Sequence, residues 1–573
     1  MRAAEVADVL EEIGRLLDFK GENPFKVRAY LNAARALAEL DEPLEVLVAE
    51  GRVREIAGVG TAIADKIEAY AETGSIPLLD RLRQEIPAGV LELLAVPGLG
   101  PKRARAAFER LGVASLDDLE EAAASGRLAE VPGFGEKTAR TVLASLDRVR
   151  EYTGRWLAAE ARPLAERLLE SLREDPAVAR SEIAGGLRRA WETVHDMDLV
   201  AAADDPAPVV ERFVALPPVA GVVGRGDTKV SVRLAGGMPA DLRVVEPTAF
   251  PFALQYFTGS QAHNTRLRGL AKRRGLKLNE YGLFRGDGTS LDCEDEAALY
   301  RALGLAWIPP ELREDRGEIE AALAGELPTL IEQKDLRGVV HVHTKWSDGR
   351  ATIEAMARAA QERRYEYLVV CDHSRSAAYA GGLDAERLLA QREEIERVNA
   401  ELDGFTVLAG CEVDILADGG LDFPDDVLAR LDVVVGSVHS RLGLPREEQT
   451  VRYLRAIENP WLDILGHPTG RILNRRSGAD LEMERVLDAA AEHGVALEVN
   501  VDPHRLDLDW RWHRAAVERG LRLSIDPDAH GPETIDYLEQ GIGIARKGGL
   551  TREDVLNALP VEAFRAALRR NRG

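Results

Sequence analysis

Cysteine is scarce in this chain: Cys293, Cys371 and Cys411 lie far apart and form no CxxC pair. That excludes a disulfide framework and leads us to expect a protein of the reducing cytoplasm. No uninterrupted apolar run approaches membrane-spanning length, so no transmembrane helix is expected. The opening stretch MRAAEVADVLEEIGRLLDF sets acidic residues among apolar ones and lacks a signal-peptide layout. Lysine is scarce as well, with 11 among the 74 basic side chains, and acidic residues outnumber basic ones to give a net charge of −23. This excludes a uniformly basic coat. It does not exclude a basic groove, because nucleic-acid affinity comes from local phosphate contacts.

What is present suits a folded protein: 573 residues, 45% hydrophobic and 30% charged. That length exceeds one hydrophobic core, so several domains are expected. Residues 1–150 read as short helices joined by glycine-containing turns, with one pattern recurring. It appears as IAGVGTAIADKI at 56–67, VPGLGPKRARAAF at 96–108 and VPGFGEKTARTVL at 131–143. Each copy pairs glycines (Gly58 with Gly60, Gly98 with Gly100, Gly133 with Gly135) ahead of an amphipathic helix. Such a turn lets backbone amides approach a phosphate at a helix N-terminus. One copy would be an ordinary helix connector, whereas three point to DNA binding. They resemble the helix-hairpin-helix motifs of DNA repair proteins.

The next region, 178–248, is β-rich, and its segment AGGLRRAWETVHDMDLVAAA carries a second signal. Asp196 and Asp198 are two residues apart, so on a strand both carboxylates face one side. Two divalent cations need convergent carboxylates, and magnesium prefers oxygen ligands. Asp241, in the apolar run ADLRVVE, offers a third. Gly185 and Gly186 with Arg188 and Arg189 precede the pair and suit a triphosphate-binding turn. Downstream, YFTGSQAHNTRLRGLAKRRGLKLNEYGLF combines Tyr256 and Phe257 beside Gly259 with a basic cluster from Arg266 to Lys277.

This succession of GG-RR, DxD, a third Asp, YFTGS, then HN and R resembles the family X DNA polymerases. The resemblance implies that Asp196, Asp198 and Asp241 are catalytic ligands of magnesium or manganese. It implies triphosphate contact by Arg189, a sugar pocket lined by Tyr256 and Phe257, and base-side and template-side contacts by Asn264 and Arg268. Vertebrate members often carry serine where Gly186 stands, so here a backbone amide would take its place. Some members are also 5′-deoxyribose-phosphate lyases. Lys66 matches that nucleophile's position, Lys26 and Tyr30 would hold a 5′-phosphate, and Ala62 stands where those members have a basic residue.

From residue 336 onward, short apolar strands alternate with helical stretches, which predicts a parallel α/β sheet or barrel. Chemistry-bearing residues recur at the strand ends: His341 and His343, then His373, Glu412, His439 and His467, and finally Asp528 with His530. Asp348 sits in an SDG turn after the first strand. Imidazoles and carboxylates without thiolates suit zinc or manganese, and nine of them exceed the needs of one ion. The pattern resembles PHP (polymerase and histidinol phosphatase) domains, which implies a (β/α)7 barrel with a trinuclear site. By that resemblance His341, His343, Glu412 and Asp528 hold one ion. Asp348, His373 and His530 hold a second, and Glu412, His439 and His467 a third.

The expected fold is therefore multidomain. An N-terminal helical, lyase-like DNA-binding domain covers 1–82 and helix-hairpin-helix fingers cover 83–150. An α+β nucleotidyltransferase palm covers 151–248 and a thumb 249–316. A helix-containing linker spans 317–335, and the PHP α/β domain runs from 336 to 573. The expected function is template-directed gap filling in DNA repair by a bacterial family X polymerase. Its PHP domain would act as a 3′→5′ exonuclease and could cleave abasic sites. The expected partners are gapped or primer–template DNA and deoxynucleoside triphosphates, with no membrane, for a monomer working beside other repair proteins. Three rival readings stand beside this: a small-molecule phosphatase fused to a DNA-binding module, a non-catalytic repair scaffold, and a nuclease with vestigial polymerisation.

Overall fold

A computed structural model describes residues 3–38, 44–56, 58–73, 76–87, 89–94, 96, 99–152 and 154–568. The chain divides into two units, Met1–Thr153 and Gly154–Gly573. The first is helical. Its opening helix Ala3–Lys20 places Leu10, Ile13 and Leu17 on one face at the three-to-four-residue spacing of a helix, and all three are buried. Leu116–Ala124 starts at Ser115, whose hydroxyl accepts from the Asp118 amide, and Pro101–Leu111 starts with proline at its first position.

The second unit begins with β1 (Trp156–Leu157), β2 (Arg180–Ile183), β3 (Thr193–Val194) and β4 (Met197–Ala202). Then come β5 (Val219–Arg225), β6 (Lys229–Leu234) and β7 (Pro239–Val245). Five of these form a mixed sheet in the order β2-β4-β7-β6-β5, with β4 and β7 parallel. Alternation along β4 divides its side chains between faces. Met197, Leu199 and Ala201 pack in a core with helices Ala158–Arg173 and Pro206–Val214. Val200 and Ala202 pack instead under helix Phe250–Thr258. Asp198 shares the face of Val200 and Ala202, which points it away from the larger core.

A smaller antiparallel sheet follows, with β8 (Leu276–Asn279), β9 (Gly282–Arg285) and β10 (Ser290–Leu291). Further along the chain Arg313, with no exposed surface, donates to Glu296 at 2.7 Å, and Arg188 reaches the other Glu296 oxygen at 2.6 Å. Burial opposes the Glu296 charge, but the two guanidinium groups prevail and hold its carboxyl down at about 2. This depressed value gives a stabilisation that is complete above the unfolded carboxyl's range and lost as pH falls toward 2. We expect Glu296→Gln to cost about 3 kcal/mol, because it strands a buried guanidinium. Urea unfolding at pH 7 and pH 3 measures it, and the variant's deficit should narrow at pH 3.

The stretch expected as a linker holds helix Glu318–Ala324. It is packed into the fold: buried Glu318 accepts from His263 at 2.6 Å, and Ile319 joins the core of Leu299 and Tyr300.

The last seven strands are β11 (Gly338–Val342), β12 (Tyr367–Val370), β13 (Thr406–Asp414) and β14 (Val433–Ser437), then β15 (Ile464–Leu465), β16 (Ala496–Asn500) and β17 (Leu523–Asp526). They run parallel in chain order, and Val342 bridges to Ala529 beyond β17, which brings the first and last strands together. Strands such as β11, β14 and β16 are buried along their whole length, as parallel strands covered on both faces must be. Val340, Tyr367, Val369, Val433 and Ile464 form an inner cluster with Leu556 and Phe564, whereas Val339, Leu368 and Val434 pack outward with the surrounding helices. Among the described residues no helix is long and apolar enough to cross a membrane.

Candidate active sites

Parallel pairing of β4 with β7 sets Asp198 directly opposite Asp241. Asp196, exposed, lies just ahead of β4. Burial, together with the nearby charges of Asp196 and Asp241, raises the Asp198 carboxyl to about 6. Lys229 offsets part of this repulsion through a 2.5 Å ion pair with Asp241. Gly185, with φ of 60°, runs so close to this group that a Cβ there would lie 2.1 Å from the Asp198 Oδ2. Only glycine fits both demands.

The residues expected to bind nucleotide meet at one place. Gly185, Gly186 and Arg189 line a cleft of about 620 Å³ with Asp196 and Asp198. Its other wall carries Tyr256, Phe257, Gly259, Asn264 and Arg268. Tyr256 and Phe257 pack edge to face at 5.2 Å. Asn264 donates to the Tyr256 carbonyl at 2.7 Å and accepts from Gln255, so its amide fixes the end of that helix. Arg189 is tethered: its Nε donates to Glu314 at 2.9 Å and its Nη1 to the Thr258 carbonyl.

The nine barrel residues also converge, at the ends of the strands where ligand sites of parallel barrels lie. Four groups bring their ligand atoms within 4.8 Å of one another. They are His343, Asp348, His373 and His530; His341, Glu412 and His467; His341, His343 and Asp528; and His373, Glu412 and His439. Glu412 is central. Its oxygens lie 2.8 Å from His373, 2.9 Å from His467, 3.2 Å from His439 and 3.4 Å from His341. No well-directed hydrogen bond reaches either ring nitrogen of buried His343 or His341 Nε2, although carboxylate oxygens of Asp528 and Glu412 stand 3.2 Å and 3.4 Å from the two Nε2 atoms. Buried polar atoms are rarely left so, and a cation satisfies them. Burial and the neighbouring His530 and His373 push the His343 imidazole down to about 3, keeping it neutral, as a ligand must be. His341, His467 and Asp528 all have positive φ, a conformation that surrounding contacts must enforce and that clusters at functional sites.

The sequence reading missed the groups that orient these ligands. His341 Nδ1 meets Glu498 at 2.5 Å, His439 Nδ1 meets Asp414 at 3.1 Å, and Asn500 donates to Asp528 at 3.1 Å. Such partners fix ring orientation and leave the other nitrogen for metal. Glu498 and Asn500, two apart within the apolar run VALEVNVDP, were the available signal. Arg505, 3.5 Å from Asp528, and Tyr379, 75% exposed with its ring 6.3 Å from that of His373, were also missed. Arg505 lies in a turn and Tyr379 in the short 3-10 helix Ala378–Ala380, and neither has a recurring spacing.

In the first unit, Gly60, Gly100 and Gly135 immediately precede helices Thr61–Thr73, Pro101–Leu111 and Glu136–Tyr152. Added Cβ atoms at these three glycines would meet nothing, and Gly58 and Gly133 have positive φ. Gly98 lies outside the described residues. Lys26 is exposed near Glu22, and Tyr30 is buried in the helical core. Lys66 Nζ donates to the Ala62 carbonyl at 2.7 Å.

Four family models match the chain: a helix-hairpin-helix domain over 1–76, a SAM-like helix-hairpin-helix tandem over 90–148, a DNA polymerase beta thumb over 253–314 and a PHP domain over 340–502. A probable phosphatase of Thermoanaerobacter sp. (strain X514) is 29% identical across 38% of the chain and 88% of its own length. Another from Acetivibrio thermocellus is 30% identical across 40% of the chain and 95% of its own. The DNA polymerase/3′-5′ exonuclease PolX of Bacillus subtilis (strain 168) is 37% identical over the full length of both chains. With that end-to-end match, and helix-hairpin-helix, thumb and PHP regions along its length, the chain belongs to the bacterial family X DNA polymerases that carry a PHP domain.

Proposed function

We propose that the chain is a template-directed DNA polymerase that fills short gaps during repair and trims 3′ ends with its PHP domain. One observation carries this reading: two convergent clusters of different chemistry, carboxylates at the cleft and imidazoles mixed with carboxylates in the barrel, stand in one unit. The cleft of about 620 Å³ suits a nucleoside triphosphate, and three carboxylates in or beside it need cations to relieve their repulsion. In it, Asp196, Asp198 and Asp241 would hold magnesium or manganese. In the barrel, His341, His343, Asp348, His373, Glu412, His439, His467, Asp528 and His530 would hold up to three ions of manganese or zinc. Such cations supply positive charge to phosphate oxygens and lower the pKa of water.

The chain's own residues do the rest. Arg189 presents a fixed guanidinium to the triphosphate, and Tyr256 and Phe257 form the wall against which a ribose 2′-hydroxyl would clash. Asn264 holds the Tyr256 carbonyl while Arg268 faces the template side. At the barrel, Arg505 offers charge to the scissile phosphodiester and the exposed Tyr379 ring offers a face for the terminal base. The open glycine turns at Gly58 and Gly60, at Gly100, and at Gly133 and Gly135 leave space for duplex phosphates. A lyase step at Lys66 stays outside the proposal, because its amine is engaged by Ala62 and Tyr30 is enclosed in the core.

The test follows a 5′-labelled primer on one-nucleotide-gapped DNA in manganese, with and without deoxynucleotides. We expect extension with them and shortening without them. Extension alone, combined with turnover of small phosphomonoesters, would return the PHP domain to the phosphatase reading.

A further inference from the structure

Lys547 ends helix Tyr537–Lys547 of the barrel region, and its side chain has no exposed surface. An ammonium so enclosed must be paired. None of its partners belongs to the barrel's ligand cluster. Its Nζ donates to Glu314 at 2.6 Å and to the Arg189 carbonyl at 2.9 Å, and it sits 4.9 Å and 4.6 Å from the ring centres of Trp191 and Trp510. The Glu314 oxygen it meets also accepts from Arg189 Nε and, at 2.6 Å, from Trp191 Nε1.

A second contact comes from the same helix. Ala190 has φ of 55°, a conformation that side chains other than glycine rarely adopt. A Cβ added to Gly543 would stand 3.0 Å from the Ala190 Cβ. The helix therefore grips the turn 189–191 twice, at a carbonyl through Lys547 and at a methyl through the bare backbone of Gly543. The far side of that turn is the nucleotide cleft, which Arg189 lines. With Nε and Nη1 engaged, the guanidinium plane is fixed and Nη2 is the nitrogen left for an anion.

We infer that Lys547 and Gly543 of the PHP domain are positioning residues for the polymerase site, holding Arg189 where the triphosphate of the incoming nucleotide binds. This rests on the triphosphate role proposed for Arg189. Fixing the guanidinium beforehand removes an ordering cost from nucleotide binding, so the effect belongs in KM rather than in the chemical step.

Gap filling and primer shortening by the full chain test this in Arg189→Gln, Lys547→Met, Gly543→Val and the double variant Arg189→Gln/Lys547→Met. Lys547→Met and Gly543→Val should each raise the deoxynucleotide KM about tenfold with kcat changed by less than about threefold, and shortening without nucleotides should stay at the wild-type rate. Because Lys547 acts through Arg189, the double variant should have the KM of Arg189→Gln alone. If Arg189→Gln leaves KM unchanged, the triphosphate reading falls and this inference with it. If Arg189→Gln raises KM but Lys547→Met and Gly543→Val do not, or if the double variant is additive, the inference alone is overturned. Should Lys547→Met fail to fold, Gly543→Val decides, since it keeps the buried charge paired.

Discussion

Replacing Asp198 with alanine should abolish primer extension, by a factor on the order of 10³ or more, and leave 3′-end shortening intact. Asp198 is the carboxylate on which the geometry of the cleft converges. Strand register sets it against Asp241, Asp196 lies two residues before it, and the Gly185 backbone closes over it. Its carboxyl is raised to about 6 by burial and by those two acids, so a site without cations resists the charge that a cation would welcome. Asparagine should fail almost as badly as alanine, because it keeps the shape and loses the charge. Gap filling under saturating nucleotide measures this. Extension within tenfold of wild type would sink the assignment, and loss of shortening as well would point to misfolding.

The mirror experiment removes Glu412. We expect Glu412→Gln to reduce 3′-end shortening on the order of 10²-fold or more, to lower the manganese or zinc retained per chain, and to spare extension. The carboxylate is 1% exposed and stands among His341, His373, His439 and His467. Burial works against its charge, yet these imidazoles, His373 foremost, hold it well below the usual carboxylate range. An amide cannot balance them. Elemental analysis of the purified variant reads metal content independently of activity. Full metal occupancy with full shortening would remove Glu412 from the site.

The two variants together also bear on the rival readings. A scaffold whose metals only stabilise the fold would lose stability in Glu412→Gln without having had shortening to lose. A vestigial polymerase would show extension orders of magnitude slower than shortening before any substitution is made.

Much of this protein was legible in its sequence because the signals are local. The step of two between Asp196 and Asp198, or between His341 and His343, is set by backbone periodicity. Strands alternating with helices announce a parallel sheet, because parallel neighbours need a crossover between them. Glycine pairs ahead of amphipathic helices mark turns whatever the rest of the chain does. Residue type then points to divalent cations, through carboxylates alone at one place and imidazoles mixed with carboxylates at the other.

Tertiary structure decided what depends on distance along the chain. Glu498 orients His341 across 157 residues, and Lys547 reaches the Arg189 carbonyl across 358. No periodicity links such pairs. A buried glutamate in an apolar strand or a lysine at a helix end carries no local mark of its partner, and only closure of the barrel and its packing against the turn that carries Arg189 bring them together. The sequence by itself determined which groups could do chemistry and on which elements they stand. The fold decided which groups meet, and how firmly each is held.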